Sequence, residues 1–175
     1  VGRIESVKRI DIFLQTAALL VKRGNDNNWL FHVFGDGSLL QEMRALAKEL
    51  DIEDLVIFHG HRMDIHNCMA SLDIMLMCSD HEGLPMAALE AMARGIPVVA
   101  FNVGALHRLI KHECNGWLVE PENMMALSKQ INQWLQFSQQ HKMFLQLACK
   151  ETIQQQFSSE VAIPKLLATY ESVSC

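Results

Sequence analysis

The sequence predicts an α/β fold built on a doubly wound, Rossmann-like parallel sheet. Short apolar runs typical of buried strands alternate with amphipathic stretches typical of helices. Of the 175 residues, 50% are hydrophobic, which is enough for one globular domain with a full core. The run from Leu72 to Cys78 is apolar almost throughout, as in parallel strands that helices cover on both faces. Five or six strand–helix units in succession form a doubly wound sheet.

The first half of the chain predicts two strands, each followed by a helix. The predicted elements are a helix over 10–23, a strand over 29–34, a helix over 38–50, a strand over 55–58 and a short helix over 64–70. Gly24 and the Asn/Asp-rich residues 25–28 are expected to end the first helix. Ser38, which follows the Gly35-Asp36-Gly37 turn, is expected to cap the second helix.

The second half predicts three more strands and a helical end. The predicted elements are a strand over 72–78, a helix from Pro85 to near Gly95, a strand over 97–100, a short strand over 116–119 and helices from Asn123 onward. Pro85 suits the first turn of a helix, where its missing N–H costs nothing. Ligands of such sheets bind at the carboxyl ends of the strands, beside helix N-termini.

Composition excludes several classes of function. The net charge of -5 with scattered Lys and Arg argues against a nucleic-acid surface, and no run of eighteen apolar residues could span a membrane. Five cysteines without a CxxC pattern favour a reducing, cytoplasmic location, and we expect no signal peptide. His59 and His61 are the only close histidine pair and lack a third ligand nearby, so the sequence predicts no metal site.

The segment from Ser79 to Val99 carries the residues best suited to chemistry. Gly83 lets a ligand approach the backbone, and the N–H groups of the first helical turn can hold phosphate or sugar oxygens. Glu82 and Glu90 are eight residues apart, roughly 12 Å along a helix. An acid–base pair on one glycosidic bond is closer, at about 5–9.5 Å. The two carboxylates therefore suit opposite ends of an elongated ligand with paired hydroxyls.

This segment reads S-x-x-E-G-L-P-x-x-x-L-E-A-x-A-x-G-x-P-V-V and resembles the signature of the group 1 (family 4) retaining glycosyltransferases. The resemblance implies the C-terminal, donor-binding half of a GT-B fold. It implies that Glu90 binds the ribose of a nucleoside diphosphate sugar, of UDP or GDP type, and that Glu82 lies near the donor sugar. Gly83, Leu84 and Pro85 match the stretch that cradles sugar and phosphate.

Other segments extend the resemblance over nearly the whole chain. The opening residues are similar to the family's G-R-x(4)-K element, which implies that Arg3 and Lys8 grip the diphosphate and stabilise its developing charge. Gly35-Asp36-Gly37 resembles the family's G-x-G. The stretch from Phe58 to Arg62 resembles the segment that flanks the nucleobase, which assigns His61 and Arg62 to substrate binding.

The C-terminal Phe157-Ser158 and Tyr170 match the family's closing helices. One departure lies between Val103 and Arg108, where the family often reads V-G-G-x-x-E and this chain has Arg108 in place of the acid. That exchange puts the donor-sugar contacts of this loop in doubt.

The resemblance implies a glycosyltransferase of hexosyltransferase type, with Arg3, Lys8 and Glu82 as catalytic residues. No cofactor is implied, since the cations present can meet the diphosphate and no DxD pattern occurs. Residues 1–175 would form the donor domain, with an acceptor-binding N-terminal domain outside this chain, so that the fragment alone transfers no sugar. The acceptor would be a saccharide or a lipid-linked saccharide, which allows peripheral association of the full-length protein with the inner face of a membrane.

Three rival functions stay open: a sugar-nucleotide epimerase of the same fold, a non-catalytic sugar-nucleotide-binding module and a dinucleotide-binding oxidoreductase. The oxidoreductase fits least, since Gly35-x-Gly37 lacks the third glycine of GxGxxG. Structural alternatives exist for single residues as well. Glu90 could pair with Arg94 on the helix surface, and Glu82 could be a loop carboxylate favoured by a helix dipole. Arg3 and Lys8 could be ordinary surface cations.

Overall fold

The computed structural model describes residues 1–23 and 29–173. Strands and α-helices alternate through most of this part of the chain. They follow in the order α1 (Ile10–Lys22), β1 (Phe31–Val33), α2 (Leu40–Glu49), β2 (Val56–Phe58), α3 (Ile65–Met69), β3 (Met75–Met77), α4 (Met86–Ala93), β4 (Val98–Phe101), α5 (Leu106–Leu109), β5 (Gly116–Val119), α6 (Met124–Gln136), α7 (Gln139–Gln156) and α8 (Ser159–Val173). Short 3-10 turns cover Ser6–Lys8 and Glu53–Leu55.

All strand pairs are parallel, which confirms the predicted α/β, Rossmann-like class. β1 pairs with β2, and β3, β4 and β5 form a second sheet in that order. Within the described residues β1 and β3 do not pair with each other. A cavity of about 510 Å³ lined by residues of both strands lies between them. In the described part of the chain the strands therefore form two parallel sheets, β1–β2 and β3–β4–β5.

β4 is buried along its whole length because helices cover both of its faces. Side chains alternate along a strand, so that Val98 and Ala100 point to one side and Val99 and Phe101 to the other. The first pair packs in a core with α4 and α5, and the second packs in a core with α1 and α6. This alternation explains why the strand is apolar without a break.

Helix α1 connects the two sheets through its apolar residues. Ile12 and Leu20 belong to the core around β4 and β5, whereas Leu14 and Ala17 pack in the core of β1 and α2. The 3.6-residue period predicted this helix, and its observed range agrees with the prediction to one residue. The helix thus fixes the position of the preceding turn relative to both sheets.

Two predictions of local structure differ from the structure. The strands are shorter than their apolar runs, as for β3, which covers three residues of 72–78. The predicted cap by Ser38 is wrong, since α2 begins at Leu40 without a side-chain cap. Ser38 instead donates from N–H and Oγ to the Glu5 carboxylate, at 3.1 and 2.8 Å, and this distant acceptor competes with the local helix end. The stop predicted at Gly24 and 25–28 lies outside the described residues.

None of the helices in the described ranges is both long and apolar enough to cross a membrane.

Candidate functional site

A partly buried charge pair lies where the Ser6–Lys8 turn meets the loop between β3 and α4. Lys8 Nζ donates to Glu82 Oε1 at 2.7 Å, and Ser79 Oγ donates to the same oxygen at 2.6 Å. The Glu82 side chain is 7% exposed and that of Lys8 27%. An ionised carboxylate with so little exposure to water needs a neighbouring cation and hydrogen bonds to offset its lost hydration. The structure thus brings together two of the three predicted catalytic residues.

The backbone of Glu82 is fixed from the opposite side by the loop after β4. Ala105 donates its N–H to the Glu82 carbonyl at 3.1 Å. Gly104 has a φ of +55°, and a Cβ there would lie 1.7 Å from that carbonyl oxygen. Only glycine therefore permits this approach. Arg108, the departure noted in this loop, is exposed on α5.

The backbone beside Glu82 is open to a ligand. Helix α4 begins at Met86, one residue after the buried Pro85. Gly83 and Leu84 are exposed, and across the described ranges their N–H groups have no backbone acceptor. A Cβ at Gly83 would meet no atom within 4 Å. The first turn of α4 can therefore receive phosphate or sugar oxygens, as the sequence predicted from Pro85.

Glu90 lies in the second turn of α4 and is half-buried. Arg94, four residues later, donates from Nη1 to the backbone carbonyl of Glu90 at 2.8 Å. This bond joins the two positions through the main chain near the end of α4, and a side-chain ion pair between them stays an alternative. A ribose contact by the Glu90 carboxylate stays a prediction.

Gly35 and Gly37 hold the segment of Arg3 against the end of β1. The Gly2 N–H donates to the Phe34 carbonyl at 2.9 Å. A Cβ at Gly35 would lie 1.8 Å from the Gly2 carbonyl oxygen, and one at Gly37 would lie 2.3 Å from that of Ile4. The two glycines are therefore required by close backbone packing. Their assignment to ligand binding stays a prediction.

Arg3 itself is exposed and lines the cavity between β1 and β3, together with Lys8, Ser79 and Glu82. The cavity lining therefore includes two cations on one segment and a carboxylate on the facing loop. Such a mixed group of charges suits a ligand that carries both phosphates and hydroxyls.

The segment after β2 carries two exposed predicted residues, His61 and Arg62. Arg62 donates from Nε and Nη2 to both carboxylate oxygens of Asp64, each at 2.8 Å. The Asp64 carboxylate raises the pKa of Arg62, and the Arg62 guanidinium lowers the pKa of Asp64. Arg62 is thus held by a neighbour, and the structure does not bring it into contact with the Lys8–Glu82 pair.

An aromatic stack next to this segment is not predicted by the sequence. The ring of His59 stacks on Phe34 at 4.3 Å between centroids, and its Nε2 lies 2.8 Å from Nδ1 of His32. Burial, followed by the nearby His32, lowers the pKa of His59. His32 lies on β1 and His59 directly follows the adjacent strand β2, so no pattern within one segment can reveal their contact.

Sequence reasoning also assigns no role to Ser79 and Arg9. Ser79 is the first residue of the segment from Ser79 to Val99. Its role, the hydrogen bond to Glu82, becomes visible only in the structure. Arg9 donates to Asp11 from Nε and Nη2, and from Nη1 to Asp80 at 3.1 Å. These carboxylates, Asp11 first, raise the pKa of Arg9. Adjacency to Lys8 was the one available signal for Arg9.

No group of three or more His, Cys, Asp or Glu in residues 1–23 and 29–173 is placed to hold a metal ion. Metal-independent ligand binding nevertheless stays a prediction, which a titration with a chelator tests.

The model of the family described as glycosyl transferases group 1 matches residues 1–150. An uncharacterized glycosyltransferase of Haemophilus influenzae is 31% identical over 174 residues, which cover 99% of this chain and 47% of that protein. The N-acetyl-alpha-D-glucosaminyl L-malate synthase of Bacillus anthracis is 30% identical, over 99% of this chain and 43% of its own length. The chain thus spans less than half the length of these curated relatives.

Among solved structures, a mutant of Staphylococcus aureus TarM in complex with Fondaparinux, alpha-GlcNAc-glycerol and UDP superposes with a TM-score of 0.87. It is 27% identical, and the match covers 95% of this chain and 34% of that one.

Proposed function

The chain belongs to the group 1 glycosyltransferases, and on that premise we propose that it is the donor-binding domain of a retaining glycosyltransferase. The donor is a nucleoside diphosphate sugar of UDP or GDP type. The acceptor is a saccharide or a lipid-linked saccharide, bound by a further domain of the same polypeptide. UDP is the first nucleotide to test, because the S. aureus neighbour has it bound.

The observation that carries the proposal is the contact between Lys8 and Glu82 beside the first turn of α4. A lysine ammonium has three donors, and one of them is taken by Glu82. The other two can meet a diphosphate. As the glycosyl bond breaks, negative charge grows on the departing diphosphate, and Lys8 stabilises this charge with Arg3 and the α4 N-terminus.

The carboxylates of Glu82 and Glu90 contact different parts of the same donor. Oε1 of Glu82 already accepts from Lys8 and Ser79, which turns this side chain into a fixed acceptor beside the transferred sugar. Glu90 lies eight residues further along the chain, in the second turn of α4, and accepts from the ribose hydroxyls. The helix thereby spaces the sugar end and the nucleoside end of one elongated ligand.

The test uses the full-length protein with UDP-glucose, UDP-N-acetylglucosamine and GDP-mannose as donors. We expect release of nucleoside diphosphate in the presence of acceptor, with the anomeric proton of the product in the donor's configuration by NMR. Inversion would contradict the retaining mechanism. Conversion of the sugar nucleotide into an epimer without acceptor would favour the epimerase, and binding without turnover would favour a non-catalytic module.

The same assay separates catalysis from binding at Arg3. Because Arg3 meets charge that grows in the transition state, Arg3→Ala is expected to lower kcat more than it raises KM for the donor. A change confined to KM would make Arg3 an ordinary binding residue.

A further inference from the structure

Arg9 has a backbone conformation that side chains disfavour. Its φ of 47° and ψ of 51° lie in the left-handed region, where Cβ crowds the following carbonyl. The residue ends the Ser6–Lys8 turn and directly precedes α1. Glycine adopts this conformation without that crowding. Strain of this kind persists where the surrounding contacts hold the residue in place.

The Arg9 side chain reaches the loop that carries Glu82. Its guanidinium is oriented by three bonds to the Asp11 carboxylate at 3.0–3.2 Å, which leaves Nη1 facing Asp80 at 3.1 Å. Glu122 lies more distant, at 3.7 Å from the same nitrogen. Asp80 is 71 residues away in sequence and stands between Ser79 and Glu82.

A second contact joins the same two loops. The N–H of Asp80 donates to the Val7 carbonyl at 2.9 Å. The loop after β3 is thus contacted by three successive residues, Val7, Lys8 and Arg9. In sequence, the Lys8–Glu82 contact lies between the two contacts that Asp80 makes with Val7 and Arg9. The contacts of Asp80 with Val7 and Arg9 are called the latch below.

We propose that Arg9 is a positioning residue for the donor diphosphate and acts through the latch. This inference rests on the proposed function, because Lys8 and the N–H groups of Gly83 and Leu84 come from opposite loops and must meet one diphosphate. A site whose loops are already held together does not have to order them on binding. The arginine does not itself bind phosphate, since its charge is met by carboxylates on its own helix and on the facing loop.

The test compares Arg9→Gly with wild type in the full-length protein, titrated with UDP and GDP in the presence of EDTA. The glycine variant relieves the left-handed strain and removes the Arg9–Asp80 contact of the latch, while the backbone bond between Asp80 and Val7 stays. We expect its Tm to stay level or rise while affinity for the bound diphosphate falls roughly three- to tenfold, the effect of one coupled contact. A purely structural residue would move both quantities in the same direction.

Asp80→Asn provides a second variant that leaves the Arg9 backbone untouched. It is expected to weaken diphosphate binding as Arg9→Gly does, and the double variant is expected to lose no more than the stronger single variant. Glu122→Gln is the matched control, since it removes the most distant carboxylate of Arg9, and its affinity should stay within about twofold of wild type.

The outcomes separate the two proposals. If wild type binds UDP or GDP but Arg9→Gly and Asp80→Asn bind equally well, the latch is wrong and the proposed function stands. Additive losses in the double variant, or a fall of Tm that parallels the affinity, would also overturn it. If wild type binds neither nucleotide, the proposed function fails and the latch fails with it. Should Arg9→Gly not fold, Asp80→Asn and its control decide.

Discussion

The ammonium of Lys8 lies 2.7 Å from Oε1 of Glu82, although 74 residues separate the two in sequence. One residue ends a turn before α1, and the other lies in the loop between β3 and α4. Each is the charge partner of the other, so a change at one alters the electrostatics of both. Variants at this pair therefore report on stability as well as on ligand binding.

Removal of the cation is expected to destabilise the fold. Lys8→Ala leaves the buried Glu82 carboxylate without its charge partner, and we expect the free energy of unfolding to fall by about 1–3 kcal/mol. Glu82→Gln in the same background should recover most of this loss, because a neutral amide needs no cation. Urea unfolding measures the loss in Lys8→Ala and its recovery in the double variant, with the exposed Lys48→Ala as control. A loss equal to that of Lys48→Ala would show that the pair is energetically unimportant.

Two glycines of the site are expected to respond in opposite ways to alanine. Gly35→Ala places a methyl group 1.8 Å from the Gly2 carbonyl oxygen at a φ of +132°, so the variant should be strongly destabilised. Gly83→Ala meets no atom within 4 Å and should keep its Tm. Because the donor is proposed to approach the backbone at Gly83, this variant should bind nucleoside diphosphate more weakly than wild type, although its Tm is unchanged. Unchanged binding by Gly83→Ala would remove that residue from the donor site.

Truncation of Glu90 tests the ribose contact. Loss of two hydrogen bonds to a carboxylate should weaken binding of the bare nucleoside diphosphate by about 1.5–3 kcal/mol. Glu82→Ala should affect the intact sugar nucleotide more than the bare diphosphate, since Glu82 is proposed to lie beside the transferred sugar. Calorimetric titrations of both ligands separate the two residues, with the exposed Glu49→Ala as control. Diphosphate affinity of Glu90→Ala within about twofold of wild type would refute the ribose assignment.

Burial of Cys149 makes stability depend on pH in the alkaline range. Burial raises the pKa of its thiol from 9.0 to about 12. The folded protein then holds this proton more tightly than the unfolded chain, so its contribution is complete below pH 9 and declines as pH rises towards 12. Urea unfolding at pH 7, 9 and 10 should show a smaller decline for Cys149→Ala than for wild type. The exposed Cys114→Ala should decline like wild type, and an equal slope in all three would contradict this account.

The sequence predicted elements whose pattern is local. The apolar period of α1, the strand over 116–119 and the helix that follows Pro85 each depend on neighbours within one segment, and the structure confirms them. The cap by Ser38 failed because Glu5, 33 residues away, offers a competing acceptor. A local pattern contains no information about such a partner.

In the site, too, single residues could be predicted from local sequence, whereas contacts between distant segments could not. The two motifs named Lys8 and Glu82 separately, whereas their direct contact, the hydroxyl of Ser79 and the link from Arg9 to Asp80 depend on packing between loops. The cavity between β1 and β3 likewise depends on how strands are placed, which alternation of strands and helices does not specify.

Lys8 and the α4 N-terminus are proposed to bind a nucleoside diphosphate without metal. The most direct measurement titrates UDP and GDP, with EDTA present, into the wild-type protein and into Lys8→Ala. We expect saturable binding of one nucleotide by wild type and a loss of about tenfold or more in the variant, the size of one charge-assisted contact. Binding that appears only after magnesium or manganese is added, or equal affinity in the two proteins, would contradict the account.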